Sequence, residues 1–465
     1  MYDTTLTLGL ITQIFILYFL FTRTLTYLRL RHIPGPFLSS VSYFPLIRAT
    51  LSGRAHKIYV DLSNRYGSLV RIGPQDLLAS DPDLLRRMSA VRSPYQRSEW
   101  YYAVRLDPDV DNILSEPNTW EHDARRAKMA TGYSGKDNAH LEADIDACIA
   151  MFVDLVEQKY LSKGSTLQLM DLARKVQFFT LDVITRAAYG DAFGYLQQDA
   201  DVHDQVKIAE QVIPFLSLCA SVPFLNQALN RMWVILKLGP RPTDPRGIGK
   251  VMGIAKLVVG ERFGKDKVAK RDMLGAWVRN GIPQRQCESE VVLQIFAGSD
   301  TTATAIRATL LYVLTNPRVH RKLQNEIDSA PISSPITNDE ARELPYLQAV
   351  IKESLRIHPP VPGLLSKRVP PGGDIVDGRH IPEGTRIGHN IWSAQRSPIF
   401  GADPNIFRPE RWIEAERDQV LQMQQCTDLV FGYGRWGCLG KQVALVELNK
   451  IIVEVSKVPL YGGIH

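Results

Sequence analysis

A cysteine framed by glycines stands near the end of the chain, in Phe431-Gly432-Tyr433-Gly434-Arg435-Trp436-Gly437-Cys438-Leu439-Gly440. Glycines at 432, 434, 437 and 440 let the backbone turn tightly and approach a flat ligand closely. Apolar residues then recur at Val443, Val446, Leu448, Ile451, Ile452 and Val455, which predicts a helix starting near Cys438. A sulfur at such a helix start, beside free amide N–H groups, is favoured as a thiolate, the form that ligates metals. Cys148, Cys219 and Cys287 have no glycine frame and read as small core residues. The spacing Gly432-x-Gly434-x-x-Gly437 also matches a dinucleotide-binding fingerprint. That fold needs a βαβ unit and further strands, and only 28 residues follow Gly437 in the chain of 465.

Two other constellations carry polar chemistry. Glu353 and Arg356 lie three apart in Lys352-Glu353-Ser354-Leu355-Arg356 and share one face of a predicted helix. In Ala297-Gly298-Ser299-Asp300-Thr301-Thr302, hydroxyls and a carboxylate interrupt an apolar helix, where they compete with the backbone or must be desolvated.

The elements that must position these residues are mostly helical. One long helix is predicted over residues 286 to 316, stopped by Asn316-Pro317. Others start at Pro317, run from Pro345 to His358, and follow Cys438. Short strands are expected at Leu69 to Ile72, Arg379 to Ile381 and Thr385 to Gly388. Residues 212 to 238 are strongly apolar but are broken by Pro214 and Pro223, so a second membrane span is not expected; they read as core helix, with a substrate-roof or membrane-dipping segment as the alternative. Segments 239 to 245 and 330 to 335, rich in proline, read as surface loops.

At the N-terminus, Thr4 to Thr22 form 19 uncharged residues that would span about 28 Å as a helix, enough to cross a bilayer. Arg23, Arg29, Arg31 and His32 follow, placing the bulk of the chain on the cytosolic side. No basic n-region precedes the run, which weighs against a cleaved signal peptide. Ile33-Pro34-Gly35-Pro36 then makes a stiff elbow. The expected organisation is an anchor at 4–22, a basic and Pro-Gly-Pro elbow at 23–36, and one large domain at 37–465. Composition agrees: 45% hydrophobic and 22% charged residues exclude wholesale disorder. Five cysteines without a C-x-x-C argue against a disulfide framework or structural zinc. A net charge of +6 without a long basic run suits a docking face or membrane surface better than a nucleic-acid binder.

With these motifs the chain resembles the cytochrome P450 family, and in its wording the fungal microsomal, pisatin-demethylase-like group. The family's cysteine loop, F-x-x-G-x-R-x-C-x-G, matches at Phe431, Gly434, Cys438 and Gly440, while Trp436 stands where arginine is usual and Arg435 lies beside it. The resemblance implies a mainly α fold with a small β region, and haem b held through the Cys438 sulfur. It implies a structural triad of Glu353, Arg356 and Arg411, the last from Phe407-Arg408-Pro409-Glu410-Arg411-Trp412. It also implies that Gly298 lets the long helix open locally, that Thr301 hydrogen-bonds bound dioxygen, and that Asp300 relays protons. By the same resemblance His122 and Arg126, one turn apart in the family's W/H-x-x-x-R helix, together with Arg368 and Arg435, become candidate propionate contacts, with Trp120 and Arg125 as rivals for the first two roles and Phe431 lining the cofactor. Activity would be NADPH-dependent monooxygenation of a lipophilic small molecule, fed by a separate NADPH-cytochrome P450 reductase, with cytochrome b5 as a second donor, at the endoplasmic reticulum membrane. Secondary metabolite tailoring is the first expectation, and detoxification of a plant or foreign compound the second. Family members usually continue further past the cysteine helix, with a C-terminal β-hairpin on the substrate side. Only 27 residues follow Cys438, so a C-terminally short, non-catalytic haem-binding pseudoenzyme is the rival from another class.

Overall fold

The computed structural model describes residues 2–163, 166–229, 231, 239–265 and 267–458; the Tyr461 to His465 ending lies outside them. The helices that position the site are α1 (Tyr2–Arg29), α2 (Phe37–Val41), α3 (Phe44–Leu51), α4 (Thr119–Tyr133), α5 (Leu172–Tyr189), α6 (Gln205–Ser221), α7 (Gln284–Leu314), α8 (Pro317–Ser329), α9 (Pro345–Ile357), α10 (Arg417–Thr427) and α11 (Lys441–Lys457). Prolines at the first turn start α8 and α9, where a missing N–H costs nothing. Asn118 caps α4 by accepting from the amides of Trp120 and Glu121. The long helix forms as expected, displaced two residues toward the N-terminus, and its 31 residues span about 46 Å.

Helix α7 runs through the main core. Val291, Val292, Ile295, Ile306 and Leu310 are buried with Phe178, Phe179 and Ile184 of α5 and with side chains of α9 and α11. Gly298 has a packing reason within this core: a Cβ there would lie 2.8 Å from Ile184 Cγ1, so the glycine lets α5 and α7 approach. The helix continues unbroken through Gly298.

The three expected strands all form. A five-stranded sheet has the order β1 (Leu69–Gly73), β2 (Asp76–Ala79), β7 (Arg386–His389), β4 (Lys367–Arg368), β3 (Gln96–Arg97), and β5 (Asp374–Val376) pairs with β6 (Arg379–Ile381) as a separate hairpin. Only β2 and β7 are parallel within the larger sheet. Their register places Asp76 beside Arg386, and the buried pair bonds through Nε at 2.6 Å and Nη2 at 2.7 Å. A one-residue slip would separate these charges, so the pair fixes the register.

Among the described residues one helix, over Leu10–Arg29 of α1, is long and apolar enough to cross a membrane. Its exit is docked to the sheet. Leu30 and Ile33 are buried, and the Arg71 N–H of β1 donates to Pro34 O at 2.8 Å. The buried Arg71 guanidinium donates to the carbonyls of Thr26, Tyr27, Ser40, Gly73 and Pro74, capping the last turn of α1. A Cβ on Gly35 would lie 2.4 Å from Arg71 O, which explains the glycine in the elbow. Replacing Arg71 with leucine leaves buried carbonyls without donors, each at about 1–3 kcal/mol. Trypsin should then cut at Arg29 and Arg31 about tenfold faster or more in Arg71→Leu; unchanged protection would refute the cap.

The core-helix reading of residues 212 to 238 holds only in part over 212–229, and residues 230 and 232–238 lie outside the described residues. Pro214 sits inside α6 and does not end it. It lies on an exposed face, where the carbonyl left without a helical partner can bond water. Ile213 and Phe215 are 41% and 53% exposed, whereas Cys219 and Ala220 pack against Ala103. Phe37, Leu38, Phe44 and Leu51 of α2 and α3 are exposed as well, and α3 packs on α6. The outcome is an apolar surface on α2, α3 and α6, followed as far as Leu229 among the described residues.

Candidate functional site

The cysteine loop is closed by its own backbone. Cys438 N donates to Phe431 O at 2.7 Å, Gly437 N to Gly434 O at 3.1 Å, and Trp436 N to Tyr433 O at 3.2 Å. Gly434 has φ of +59°, and a Cβ there would lie 2.4 Å from Ser89 O, so only glycine fits. Cys438 is the exposed member of five cysteines; the other four, Cys426 included, are buried. Its sulfur is accessible yet surrounded by protein on most sides. Burial pushes the thiol above its usual range, while amides of Gly440 and Lys441 and the Arg126 guanidinium pull it back. These groups favour the thiolate by hydrogen bonding and charge once a cationic partner offsets desolvation. Helix α11 begins just beyond, at Lys441.

Helix α4 brings His122 and Arg126 to this loop. Arg126 Nη1 donates to Gly437 O at 2.6 Å, and the buried His122 ring lies 4.5 Å from the Trp436 ring. His122 Nδ1 is 2.9 Å from Asp123 Oδ1, and burial with nearby Arg97 lowers its pKa to about 4. The rivals point elsewhere: Trp120 is exposed, and Arg125 pairs with Glu116 at 3.0 Å. Phe431 is half-buried under the Lys441 ammonium. Arg435 turns toward the Val91 carbonyl and lies 3.8 Å from Asp123.

Arg368 does not join this group. In the two-residue strand β4 successive side chains point to opposite sides, and Arg368, 44% exposed, pairs with Glu99. Its neighbour Lys367 takes the inner side. Lys367 is 1% exposed, and its Nζ finds no hydrogen-bond partner. Burial, then Arg97 and Arg435, hold its pKa well below the usual lysine value. Beside it, buried Arg97 of β3 donates through Nη1 to the carbonyls of Ile113 (2.8 Å) and Glu116 (3.1 Å), leaving Nε unpartnered. Trp436 Nε1 and His389 Nε2 are also buried without partners, and burial next to Lys367 lowers the His389 pKa to about 3. Neither Arg97 nor Lys367 stands out in the sequence, because a strand of two residues carries no alternation pattern from which to choose.

On α7, Ala297 is exposed and Thr301 half-exposed in an otherwise buried helix. Thr301 Oγ1 donates to Ala297 O at 2.9 Å. Asp300 Oδ1 accepts from Gln177 Nε2 of α5, and Gln177 Oε1 accepts from Arg307 Nη2. Asp300 Oδ2 is buried and unpartnered, and burial raises the carboxyl pKa. Gln177 is a further residue that sequence reasoning missed, although a polar residue between Val176 and Phe178 is a visible signal.

Glu353 of α9 is fully buried. Oε1 accepts from Arg356 Nη2 (2.7 Å), Arg411 Nε (3.0 Å) and Arg408 N (2.9 Å); Oε2 accepts from Arg356 Nε (2.8 Å) and Trp412 Nε1 (2.9 Å). Arg356 also donates to Gln395 O at 2.8 Å, and the Gln395 side chain bonds Cys426 O and Thr427 Oγ1. That path, with Trp412 packed beside Met423 and Leu429, runs from the triad to the segment entering the cysteine loop.

Comparison with known proteins agrees with this arrangement. The family model for cytochrome P450 matches residues 34–238 and 272–455. The chain is 47% identical to cytochrome P450 monooxygenase ABA1 of Pyricularia oryzae over 444 residues, covering 93% of this chain and 87% of that protein. It is 41% identical to cytochrome P450 monooxygenase aba1 of Botryotinia fuckeliana, over 92% and 86% of the two chains. It is 30% identical to pisatin demethylase of Fusarium vanettenii, over 92% and 83%. The chain therefore belongs to the cytochrome P450 family of haem-iron monooxygenases. The residues present fit that cofactor: one accessible thiol in a glycine loop, and beside it the buried Lys367 ammonium, the Arg97 Nε and the Trp436 indole N–H, each without a partner, donors of the kind that carboxylates require.

Proposed function

We propose that the chain is a membrane-anchored monooxygenase that oxidises a lipophilic small molecule in secondary metabolism. The observation that carries this is the accessible Cys438 in its closed glycine loop, the only exposed thiol among five. Haem b ligated by Cys438 supplies the iron at which dioxygen is activated, and a thiolate ligand favours O–O cleavage. Glu353, Arg356 and Arg411 keep the loop in place, and His122 and Arg126 support its flank. Electrons come from NADPH through a separate NADPH-cytochrome P450 reductase. The net charge of +6 supports docking to an acidic reductase surface, where cytochrome b5 would also dock. The α1 span, the cations after it and the apolar surface of α2, α3 and α6 support a single-pass anchor in the endoplasmic reticulum, with the domain in the cytosol.

Asp300 and Thr301 handle protons. The Asp300 carboxyl holds its proton above the usual carboxylate range, and its free Oδ2 can pass one on when the Gln177 bond turns. The half-exposed Thr301 hydroxyl, bonded to Ala297 O, can turn its hydrogen toward a ligand beside the helix. Thr301→Ala should raise peroxide released per NADPH consumed several-fold, and Asp300→Asn should slow turnover by about 10²-fold or more with haem content unchanged. Unaltered coupling in both would remove these roles.

The test of the function is reconstitution of the full chain in lipid with the reductase, followed by a search for compounds that shift the iron spin state and gain one oxygen atom. The second reading is detoxification of a plant or foreign compound, which oxidation of such compounds in preference to terpenoids or polyketides would favour. A haem protein that oxidises nothing across such a panel would instead support the non-catalytic reading.

A further inference from the structure

Arg97 and Lys367 share two aromatic rings. The Arg97 guanidinium carbon lies 4.3 Å from the Trp436 ring centroid and 4.7 Å from that of Tyr101; Lys367 Nζ lies 4.1 Å from the first and 5.2 Å from the second. All four distances are within cation–π range. Neither cation has a carboxylate within 4 Å among the described residues, although both are buried. Glu116, the nearest candidate, spends its carboxylate on Arg125 and the Asn118 amide. Two like charges in a poorly solvated space repel, and lysine has no hydrogen bond at all to offset this. Both cations face the electron-rich rings of Trp436 and Tyr101, and Arg97 alone has backbone carbonyls as well, those of Ile113 and Glu116.

We propose that Trp436 is a positioning residue whose indole holds Arg97 and Lys367 together as a preformed receptor for the paired carboxylates of haem. This rests on the haem-thiolate reading above. An arginine at 436 would add a third positive charge to a pair that already lacks anions. An indole adds attraction to both cations and carries a buried N–H that has no partner. Arg97 is tethered by two carbonyls whatever stands at 436, so Lys367 depends on the ring more.

The test compares release of haem b and of haem dimethyl ester, whose carboxylates carry no charge, to excess apomyoglobin from the full-length chain and from Trp436→Leu, Trp436→Phe and Lys367→Leu. Release of haem b should be about tenfold faster in Trp436→Leu and Lys367→Leu, and intermediate in Trp436→Phe, which keeps a ring. Release of the diester should change little. Equal acceleration of both haems would mean general loosening of the loop and would overturn the proposal, as would parent-like release of haem b from Trp436→Leu. If the parent chain itself shows no thiolate spectrum, the haem reading falls and the receptor falls with it. A parent with that spectrum and indifferent variants removes the receptor alone.

Discussion

Cys438→Ser abolishes the red-shifted Soret band of the reduced carbonyl form and takes monooxygenase activity to background, while the fold is retained. The two halves of this expectation come from different atoms. The loop is held by backbone bonds of Phe431, Gly434 and Gly437 and by glycine conformations, none of which uses the sulfur. The side chain is accessible, so exchanging sulfur for oxygen opens no core cavity, and unfolding stability should move by no more than about 0.5 kcal/mol. Only the ligand changes, from a thiolate stabilised by the Gly440 and Lys441 amides to a hydroxyl that stays protonated at neutral pH. Loss of an outer-shell partner alone costs about 10–100-fold in metal sites, so loss of the ligand itself should exceed about 100-fold. Cys426→Ser gives the reverse pattern. That buried thiol lies among Ala394, Gln395 and Met423, and a hydroxyl there should lower stability with the spectrum intact. Absorbance of the reduced carbonyl form and thermal unfolding of both variants separate the cases; a normal band in Cys438→Ser would refute the ligand assignment.

The glycine frame makes Cys438 legible in the sequence because conformational demands of a tight loop leave a residue-type record. The same holds for Glu353 and Arg356, whose spacing alone places them on one helix face. Other site residues leave no such record. Trp412 completes the Glu353 shell with its indole N–H, but nothing in its neighbours tells a donating tryptophan from a packing one. Lys367 and Arg368 differ only in which side of a two-residue strand they occupy, and that follows from pairing with β3 and β7 over long sequence distance. Pro214 misleads for a related reason: proline interrupts a helix hydrogen bond, yet an exposed face offers water to the orphaned carbonyl. Gly298 shows a third case. Its place in a polar patch suggests chemistry, whereas its immediate requirement is the close approach of Ile184.

Glu353→Gln is the second variant with a large expected effect, and its damage should fall on folding and not on chemistry. The substitution keeps the volume and removes one charge, leaving the buried Arg356 guanidinium without a counter-ion among the described residues and Arg411 with Asp403 alone, at 3.1 Å. It also puts an amide N–H₂ in a shell that needs only acceptors, because all five partners of Glu353 are donors. Breaking a buried charge network in this way costs about 3–5 kcal/mol, a large part of the stability of an ordinary domain. The loss travels along a defined route. Arg356 holds Gln395 O, Gln395 holds Cys426 and Thr427, and Trp412 packs on Leu429, two residues before Phe431 accepts the Cys438 amide. Haem incorporation should therefore fail together with stability, although no atom of Glu353 touches the loop. Arg318→Ala is the matched control. Arg318 is 57% exposed and shares Glu410 with Lys322 and Tyr346, so its removal should cost no more than about 1 kcal/mol. Denaturant unfolding and haem content of the purified chains measure both. A Glu353→Gln protein as stable as Arg318→Ala would mean that the triad does not hold the loop.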